Sequence, residues 1–285
     1  MPPKDSDLLN LVNAAGFLFQ MGVQHDIEST YSKHGKTVLA REHRWVDPDT
    51  RQEGFVDLVI TAGTNGKIVV ECKRVRDSDW VFLIPSAATK TRAAHVLWTK
   101  RFDESRQGAA WDGFNLDPGS LEAEFCVVRG HADTQQPMLE RVSSSLIRAT
   151  EAVASEELAY KRNIGIAGIR FYFPLVVTSA KLHVCRVQPS EIDLASGDLK
   201  SADFEEVPFL RFTKSMPSRF ASSRPPSEIT EATSESRRTV LVANASRLLS
   251  FLTEKWEFGS PTNGGPWPWD LPAWHDQQSN GSVSA

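Results

Sequence analysis

The sequence has few cysteines, and they are too far apart to suggest a shared role. Cys72, Cys126 and Cys185 are an odd number and form no CxxC pair. A disulfide framework or a zinc site needs cysteines at closer and more regular spacing. We therefore expect neither, and we expect the protein to reside in a reducing compartment, the cytoplasm.

Long apolar runs and an excess of positive charge are also lacking. No run approaches the roughly 20 apolar residues of a membrane-spanning helix, and the first ten residues lack the basic-then-apolar order of a signal peptide. We therefore expect no membrane partner. The net charge of −4 is unlike that of most proteins that bind DNA through many phosphates. A local basic rim, a dimer or a bound metal could still hold a phosphate.

Helical and strand-like patterns alternate along the chain, which favours the α/β class. The expected fold is a mixed β-sheet flanked by helices, with a strand-rich second half and a C-terminal helix. Helices are predicted over residues 5–21, 86–102, 138–161 and 234–256. A first strand is predicted within residues 36–46. Further strands are predicted over residues 55–61, 67–74, 121–128, 171–178, 182–187 and 206–212, with 171–178 and 182–187 forming a hairpin.

The domain organisation follows from composition. We expect residues 1–215 to form the main domain, with a strand-rich extension from about residue 165, and residues 216–257 to form a linker and a helix packed on it. Residues 258–285 form a tail rich in tryptophan and proline, with three tryptophans between Pro266 and Trp274. These rings could stack on bases or dock a partner, but we favour a tail packed against its own domain.

Charged residues interrupt the two strongest strands. In the strand 67–74, Glu71 and Lys73 share a face because side chains alternate with a period of two. Asp57 lies in the preceding strand, which is otherwise apolar. Charges in such a setting are costly unless they are paired or bind a metal.

The turn between the strands decides whether Asp57 joins the other two. If residues 64–66 form a three-residue loop that ends in a left-handed glycine, Asp57 lies opposite Lys73 and diagonal to Glu71. All three side chains then converge on one face. If residues 65–66 form a two-residue loop instead, the register shifts by one and Asp57 points away unless a bulge repairs it.

Three such residues fit metal-assisted cleavage of a phosphodiester bond. Two neighbouring carboxylates repel each other unless a cation lies between them, and oxygen ligands from Asp57 and Glu71 suit Mg²⁺, with Mn²⁺ as a substitute. Such a metal lowers the pKa of a bound water. Lys73 can orient that water or balance the charge that develops on the phosphate.

The segments FVDLVI (55–60) and VVECK (69–73) resemble the signature of the PD-(D/E)xK, or restriction-endonuclease-like, superfamily. The resemblance covers roughly residues 5–130 and implies a four-stranded mixed sheet between helices. It implies a Mg²⁺-dependent deoxyribonuclease, an endonuclease rather than an exonuclease, whose partner is DNA. It further implies Asp57, Glu71 and Lys73 as catalytic residues. The implied metal ligands are Asp57, Glu71 and the backbone carbonyl of Cys72.

The chain departs from that signature in two places. Val56 stands where proline is frequent, and the first helix lacks the glutamate that many members place there. Gln20 near the helix end, Glu28 beyond it and Glu42 on the first strand are the candidates for a third metal contact. The number of metals therefore stays open.

Several functions fit these features. By analogy with the family, a nuclease would serve in bacterial restriction or antiviral defence. A binding or scaffold protein that kept the fold and lost catalysis is the alternative, and an effector that acts only in an assembly, with a protein partner or as a homodimer, is a third. In the structural alternative, Glu71 and Lys73 form an ion pair at a sheet margin and Asp57 is solvated.

Other polar residues are weaker candidates. Four basic residues on the predicted helix 86–102 could line a phosphate path or form a solvated helix face; they are Lys90, Arg92, Lys100 and Arg101. His43 could flank the site from the first strand, but we do not expect it to be catalytic. The Cys72 side chain is expected to point away from Glu71 and Lys73, into the core.

Overall fold

The computed structural model describes residues 5–47, 50–75, 79–101, 107–128, 137–164, 168–223, 227–254, 256–262 and 264–271, with the backbone alone for 161–164. Within these residues the helices are α1 Asp5–Ala14, α2 Phe17–Ser29, α3 Tyr31–His34, α4 Met138–Ile164, α5 Ile229–Glu235 and α6 Leu248–Thr253. The strands are β1 Val38–Val46, β2 Glu53–Ala62, β3 Gly66–Lys73, β4 Asp79–Pro85, β5 Thr91–Arg101, β6 Gln107–Ser120, β7 Glu122–Ala123, β8 Phe125–Val128, β9 Gly168–Thr178, β10 Lys181–Val187, β11 Asp203–Val207, β12 Phe209–Ser215, β13 Arg237–Asn244 and β14 Phe258–Pro261.

Ten of these strands form one mixed sheet. Its main path runs β1-β2-β3-β9-β13-β12-β7, and β5, β6 and β14 extend it beside β9. The strands β1, β2 and β3 are antiparallel neighbours, whereas β9 runs parallel to β3. On its other side, β9 pairs first with β5 and then with β13. The strand β9 is therefore flanked on both sides within this sheet.

A smaller sheet has the order β11-β10-β4-β8, in which β4 and β10 are parallel. It lies on the same side of the large sheet as α4, because their apolar side chains belong to one buried cluster. A second cluster on the opposite face joins α2, α6 and the segment after residue 256. The predicted mixed sheet flanked by helices is confirmed, as is the strand-rich second half. None of the described helices has the length and apolar character to span a membrane.

Some predicted elements are confirmed and others are wrong. The helix predicted over 138–161 and the hairpin strands near 55–61 and 67–74 are present. The first helix breaks at residues 15–16 and resumes as α2, which passes through Gly22 rather than ending there. The helix predicted over 86–102 is wrong, because 91–101 is the strand β5. Its residues pair with both β6 and β9, and this pairing overrides local propensity.

The second half contains two further corrections. The predicted helix 234–256 is wrong: β13 lies inside the large sheet, with Val240 and Val242 buried on one face and Leu241 and Ala243 on the other. Only the short helix α6 remains of it. A strand buried on both faces has no alternating pattern, so its apolar run also fits a helix. The predicted hairpin 171–187 is wrong as well, since β9 and β10 belong to different sheets.

The four basic residues assigned to a helix lie elsewhere. Arg92 forms an ion pair with Asp117 at 2.7 Å, and the Lys100 ammonium lies 5.8 Å from the ring centre of Trp269. Arg101 is buried, at 3% exposure. Lys90 precedes β5. The helical phosphate path is therefore wrong.

The described part of the tryptophan tail packs on its own domain, as we favoured. The rings of Trp267 and Trp269 stack at 4.7 Å between centres. Trp269 also meets the edge of the buried Trp98 at 5.2 Å. Trp274 and the rest of the tail after residue 271 lie outside the described residues.

Candidate active site

The hairpin between β2 and β3 has a three-residue loop. Ala62 pairs with Gly66, so the loop is residues 63–65, and Gly63 has the left-handed conformation, with φ 63°. Gly66 must be a glycine, because a Cβ there would lie 2.2 Å from the carbonyl oxygen of Ala62. The predicted loop length is correct, but the predicted loop residues, 64–66, are wrong by one position.

This shift changes which residues face each other. The last β2–β3 pair is Leu58 with Val70, and the same register sets Asp57 opposite Glu71 rather than Lys73. β3 continues beside β9 as far as Lys73, which pairs with Thr178. Asp57 therefore lies where β2 leaves β3, and the end of β3 keeps only its β9 neighbour.

Asp57 fills the gap that this separation creates. Its Oδ2 accepts a hydrogen bond from the backbone N–H of Cys72 at 2.6 Å. Because Cys72 lies between Glu71 and Lys73, the three candidate residues come together at one strand end. The solvated Asp57 of the structural alternative is wrong.

Glu71 and Lys73 form an ion pair, with 2.5 Å between Oε1 and Nζ. Their side chains are 22% and 35% exposed, so both remain accessible. The ion pair that the structural alternative predicts between Glu71 and Lys73 is therefore present. Lys67 lies on the same face of β3, at its other end, and is a natural control residue.

The electrostatics of Asp57 reflect this crowding. The pKa of Asp57 is raised from 3.8 to about 6, mainly by burial and also by the negative charges of Glu71 and Glu42. The Cys72 N–H and the Lys73 ammonium act in the opposite direction. Without a cation, the Asp57 carboxyl is therefore partly protonated near neutral pH. Two acids that cannot both ionise freely are suited to holding a positive ion between them.

The three candidates for a third metal contact differ in their position relative to Asp57. Gln20 is buried and donates from Nε2 to the backbone oxygen of Asp57 at 3.2 Å. Glu42 lies opposite Asp57 in the β1–β2 register and has a positive φ of 46°. Glu28 is exposed and accepts a hydrogen bond from Gln24 within α2. Glu42 is thus the acid best placed to supply a third metal contact beside Asp57. Gln20 holds the backbone of Asp57 through its hydrogen bond.

Both β1 and β2 are irregular at this point. Val56 and Val59 belong to the cluster that faces α4, although Leu58 belongs to the opposite cluster. The side-chain alternation therefore breaks at Asp57, across from the positive φ of Glu42. Such backbone strain is concentrated at functional sites in proteins.

Contacts from neighbouring elements hold the end of β3. The Arg74 guanidinium donates to the backbone oxygen of Asn13, at the end of α1. Ser179, directly after β9, bonds through its hydroxyl to the N–H and the carbonyl of Val75, both at 2.9 Å. Its own N–H donates to the Lys73 oxygen at 3.3 Å. The backbone that carries Lys73 is therefore fixed from both sides.

His43 and Cys72 have structural contacts. His43 bonds to Glu156 of α4 at 2.7 Å, which ties β1 to the helix. The Cys72 side chain packs against the α2-side cluster, as expected, and burial raises the pKa of its thiol. The thiol therefore stays neutral.

The oxygen donors of the site are of the kind that Mg²⁺ prefers. Among the residues that the structure describes, no group of three or more His, Cys, Asp or Glu side chains could hold a metal ion. Asp57 and Glu71 supply two carboxylates at one strand end. Mg²⁺ in proteins often uses only one or two carboxylates and keeps several waters. The pair therefore fits a hard divalent cation with few protein ligands.

Two contacts of the site were not predicted from the sequence: the hydrogen bond from Gln20 to the Asp57 backbone and the contact of Arg74 with α1. Gln20 is spaced with Val23 and Ile27 on the buried face of α2, so its inward direction could have been read from helical periodicity. The contact between Arg74 and α1 has no such signal in the sequence, because it joins segments that are far apart in the chain.

The charge of Asp57 has a measurable cost. Its folded-state pKa of about 6 exceeds the ordinary 3.8, so stability falls as pH rises through this interval. Above about pH 6, the ionised Asp57 carboxylate lowers the free energy of unfolding by about 1–2 kcal/mol, after allowance for its partial exposure. Asp57→Asn keeps an oxygen for the Cys72 N–H, so in EDTA it should stabilise the protein by that amount above about pH 7 and leave it unchanged near pH 4. Urea unfolding measures this, and equal stability at the higher pH would contradict it.

Comparisons with protein-family models, with curated proteins and with solved structures find no match to this chain. Its function must therefore be inferred from the residues and the geometry of the site.

Proposed function

We propose that this protein is a metal-dependent nuclease that hydrolyses phosphodiester bonds of DNA, with Asp57, Glu71 and Lys73 as its catalytic residues. One observation carries the proposal. Asp57 leaves the β2–β3 ladder opposite Glu71 and caps the N–H of Cys72, which places two carboxylates and an ammonium at one accessible strand end. This constellation suits attack by water on a phosphodiester.

Each residue has a definite task in this proposal. Asp57 and Glu71 would hold Mg²⁺ together with the Cys72 carbonyl, and the bound ion would supply an activated water and charge neutralisation. Lys73 would turn its ammonium from Glu71 to the phosphate, where it balances the charge that develops during attack. Gln20, through the Asp57 backbone, keeps the first carboxylate in place.

The order of the elements also supports the proposal. A helix precedes β1, the strands β1, β2 and β3 are antiparallel, and α4 leads into β9, which runs parallel to β3. A mixed sheet with helices on both faces is compatible with the restriction-endonuclease-like resemblance and supports the proposal. The elements β4 to β8 would then be an insertion between β3 and α4.

Cleavage assays test this function directly. Supercoiled plasmid and single-stranded DNA are incubated with the protein in Mg²⁺, in Mn²⁺ or in EDTA, beside Asp57→Ala and Glu71→Ala. We expect cutting that depends on the metal and is lost in both variants. Mn²⁺ binding, followed by electron paramagnetic resonance, should weaken in the same two variants. Wild-type protein that cuts neither DNA in either metal would overturn the proposal.

A binding or scaffold protein is the second candidate, and the Glu71–Lys73 ion pair favours it. At 2.5 Å the pair already satisfies both charges without a metal. The overall charge of −4 points the same way. This candidate predicts DNA or protein binding that Asp57→Ala and Lys73→Ala leave unchanged, with no cleavage under any metal condition.

A further inference from the structure

Helix α1 exposes its apolar face. All ten of its residues are exposed and none is buried. Four large apolar side chains fall within one side of the helix, with exposures of 44%, 58%, 69% and 48%: Leu8, Leu9, Leu11 and Val12. The sequence pattern predicts a buried stripe here, and the structure leaves that stripe uncovered.

The exposed surface continues onto α2. Its inner side packs on the sheet through Val23 and Ile27, while its outer side shows Phe17, Leu18 and Met21 at 68%, 41% and 63% exposure. We call these three residues and the four of α1 the N-terminal apolar surface. Together they expose on the order of 800 Å², which is about what each partner contributes to a standard protein–protein interface.

Helix α1 also needs support for its own stability. An isolated helix of fewer than about 12 residues is marginal in water. The Arg74 guanidinium donates to the backbone oxygen of Asn13, in the last turn of α1, and to that of Ala15, directly after the helix. A surface packed on the apolar face would supply the missing stabilisation.

The charge pattern points to a second copy of the chain as that surface. The first turn of α1 has two acids, Asp5 and Asp7, and its last turn lies against Arg74. When two copies pair antiparallel about a two-fold axis, the acidic end of each helix meets the Arg74 end of the other. Lipid is disfavoured, because α1 and α2 contain no lysine or arginine to attract anionic headgroups.

We propose that the N-terminal apolar surface is a homodimer interface in which two copies of α1 pack antiparallel. The interface adjoins the candidate active site, because Arg74 directly follows Lys73. This proposal stands apart from the nuclease activity, since it concerns assembly alone.

Sedimentation and light scattering test the assembly. We expect the wild-type protein to have twice the 31.7 kDa mass of the chain at micromolar concentration. Leu11→Glu with Phe17→Glu should give a monomer with an unchanged circular dichroism spectrum. Leu194→Glu is the matched control, because Leu194 is 94% exposed outside this surface, and it should remain a dimer.

A cross-link tests the geometry. Residue 9 lies near the middle of α1, so in an antiparallel pair it lies beside its own counterpart. Leu9→Cys should form a disulfide-linked dimer in oxidised glutathione, whereas Leu194→Cys should not. A monomeric wild type, a dimer that survives the double substitution, or a wild type that instead binds lipid vesicles would overturn the proposal.

Discussion

Replacing Lys73 by alanine should lower the rate of DNA cleavage by about 10²- to 10³-fold, the usual cost of losing one group that stabilises transition-state charge. The ammonium lies 2.5 Å from Glu71 and beside the backbone that Asp57 caps. Because Asp57 and Glu71 remain, metal binding should persist. Single-turnover cleavage of a labelled duplex measures the loss, and Mn²⁺ binding measures what remains.

Lys67→Ala is the matched control for this effect. Lys67 lies on the same face of β3 and has the same side chain, but it is six residues away, next to the hairpin loop. Its removal should change cleavage by less than about threefold, the size of an ordinary surface-charge effect. If both substitutions lower the rate equally, general attraction of DNA explains the result and a catalytic role for Lys73 is wrong.

Replacing Arg211 by methionine should have the largest effect on folding. This guanidinium is fully buried in β12 and donates four hydrogen bonds to the ends of β5 and β6. The acceptors are the carbonyls of Thr91, Leu116 and Pro118 and the hydroxyl of Ser120, at 2.6 to 3.0 Å. Methionine leaves all four without this donor, and we expect a loss of about 3–5 kcal/mol in the free energy of unfolding.

Urea unfolding of Arg211→Met beside Arg44→Met measures this loss. Arg44 pairs with Glu53 on the surface, where both side chains are more than half exposed. Its removal should cost no more than about 1 kcal/mol. Similar unfolding midpoints for the two variants would show that the buried contacts do not stabilise this corner of the sheet.

The local part of the candidate site was predictable from the sequence. Glu71 and Lys73 share a face by strand period alone, and the apolar strands around them predict the hairpin. The position of Asp57 required more, because its partner depends on which residues form the loop. In the structure Gly66 approaches the Ala62 carbonyl so closely that a Cβ would not fit, and no propensity scale contains this contact.

The central strands were the hardest part of the fold to predict. In β5, Leu97 faces one core and Trp98 the other, so both sides of the strand are buried there. The strand β13 has the same property. When both faces are buried, the alternation that distinguishes a strand from a helix disappears. Pairing with neighbouring strands decides the matter: β5 pairs with β6 and β9, and β13 with β12 and β9.

The chain passes between the small sheet and the large one at several points, and two of these connections run side by side. After Lys73 and Thr178, the parallel pair β3 and β9 is followed by the parallel pair β4 and β10. Ser179 bonds one connection to the other at Val75. Lys73, the last residue of β3, is therefore the member of the candidate site that stands next to the tie between the two sheets.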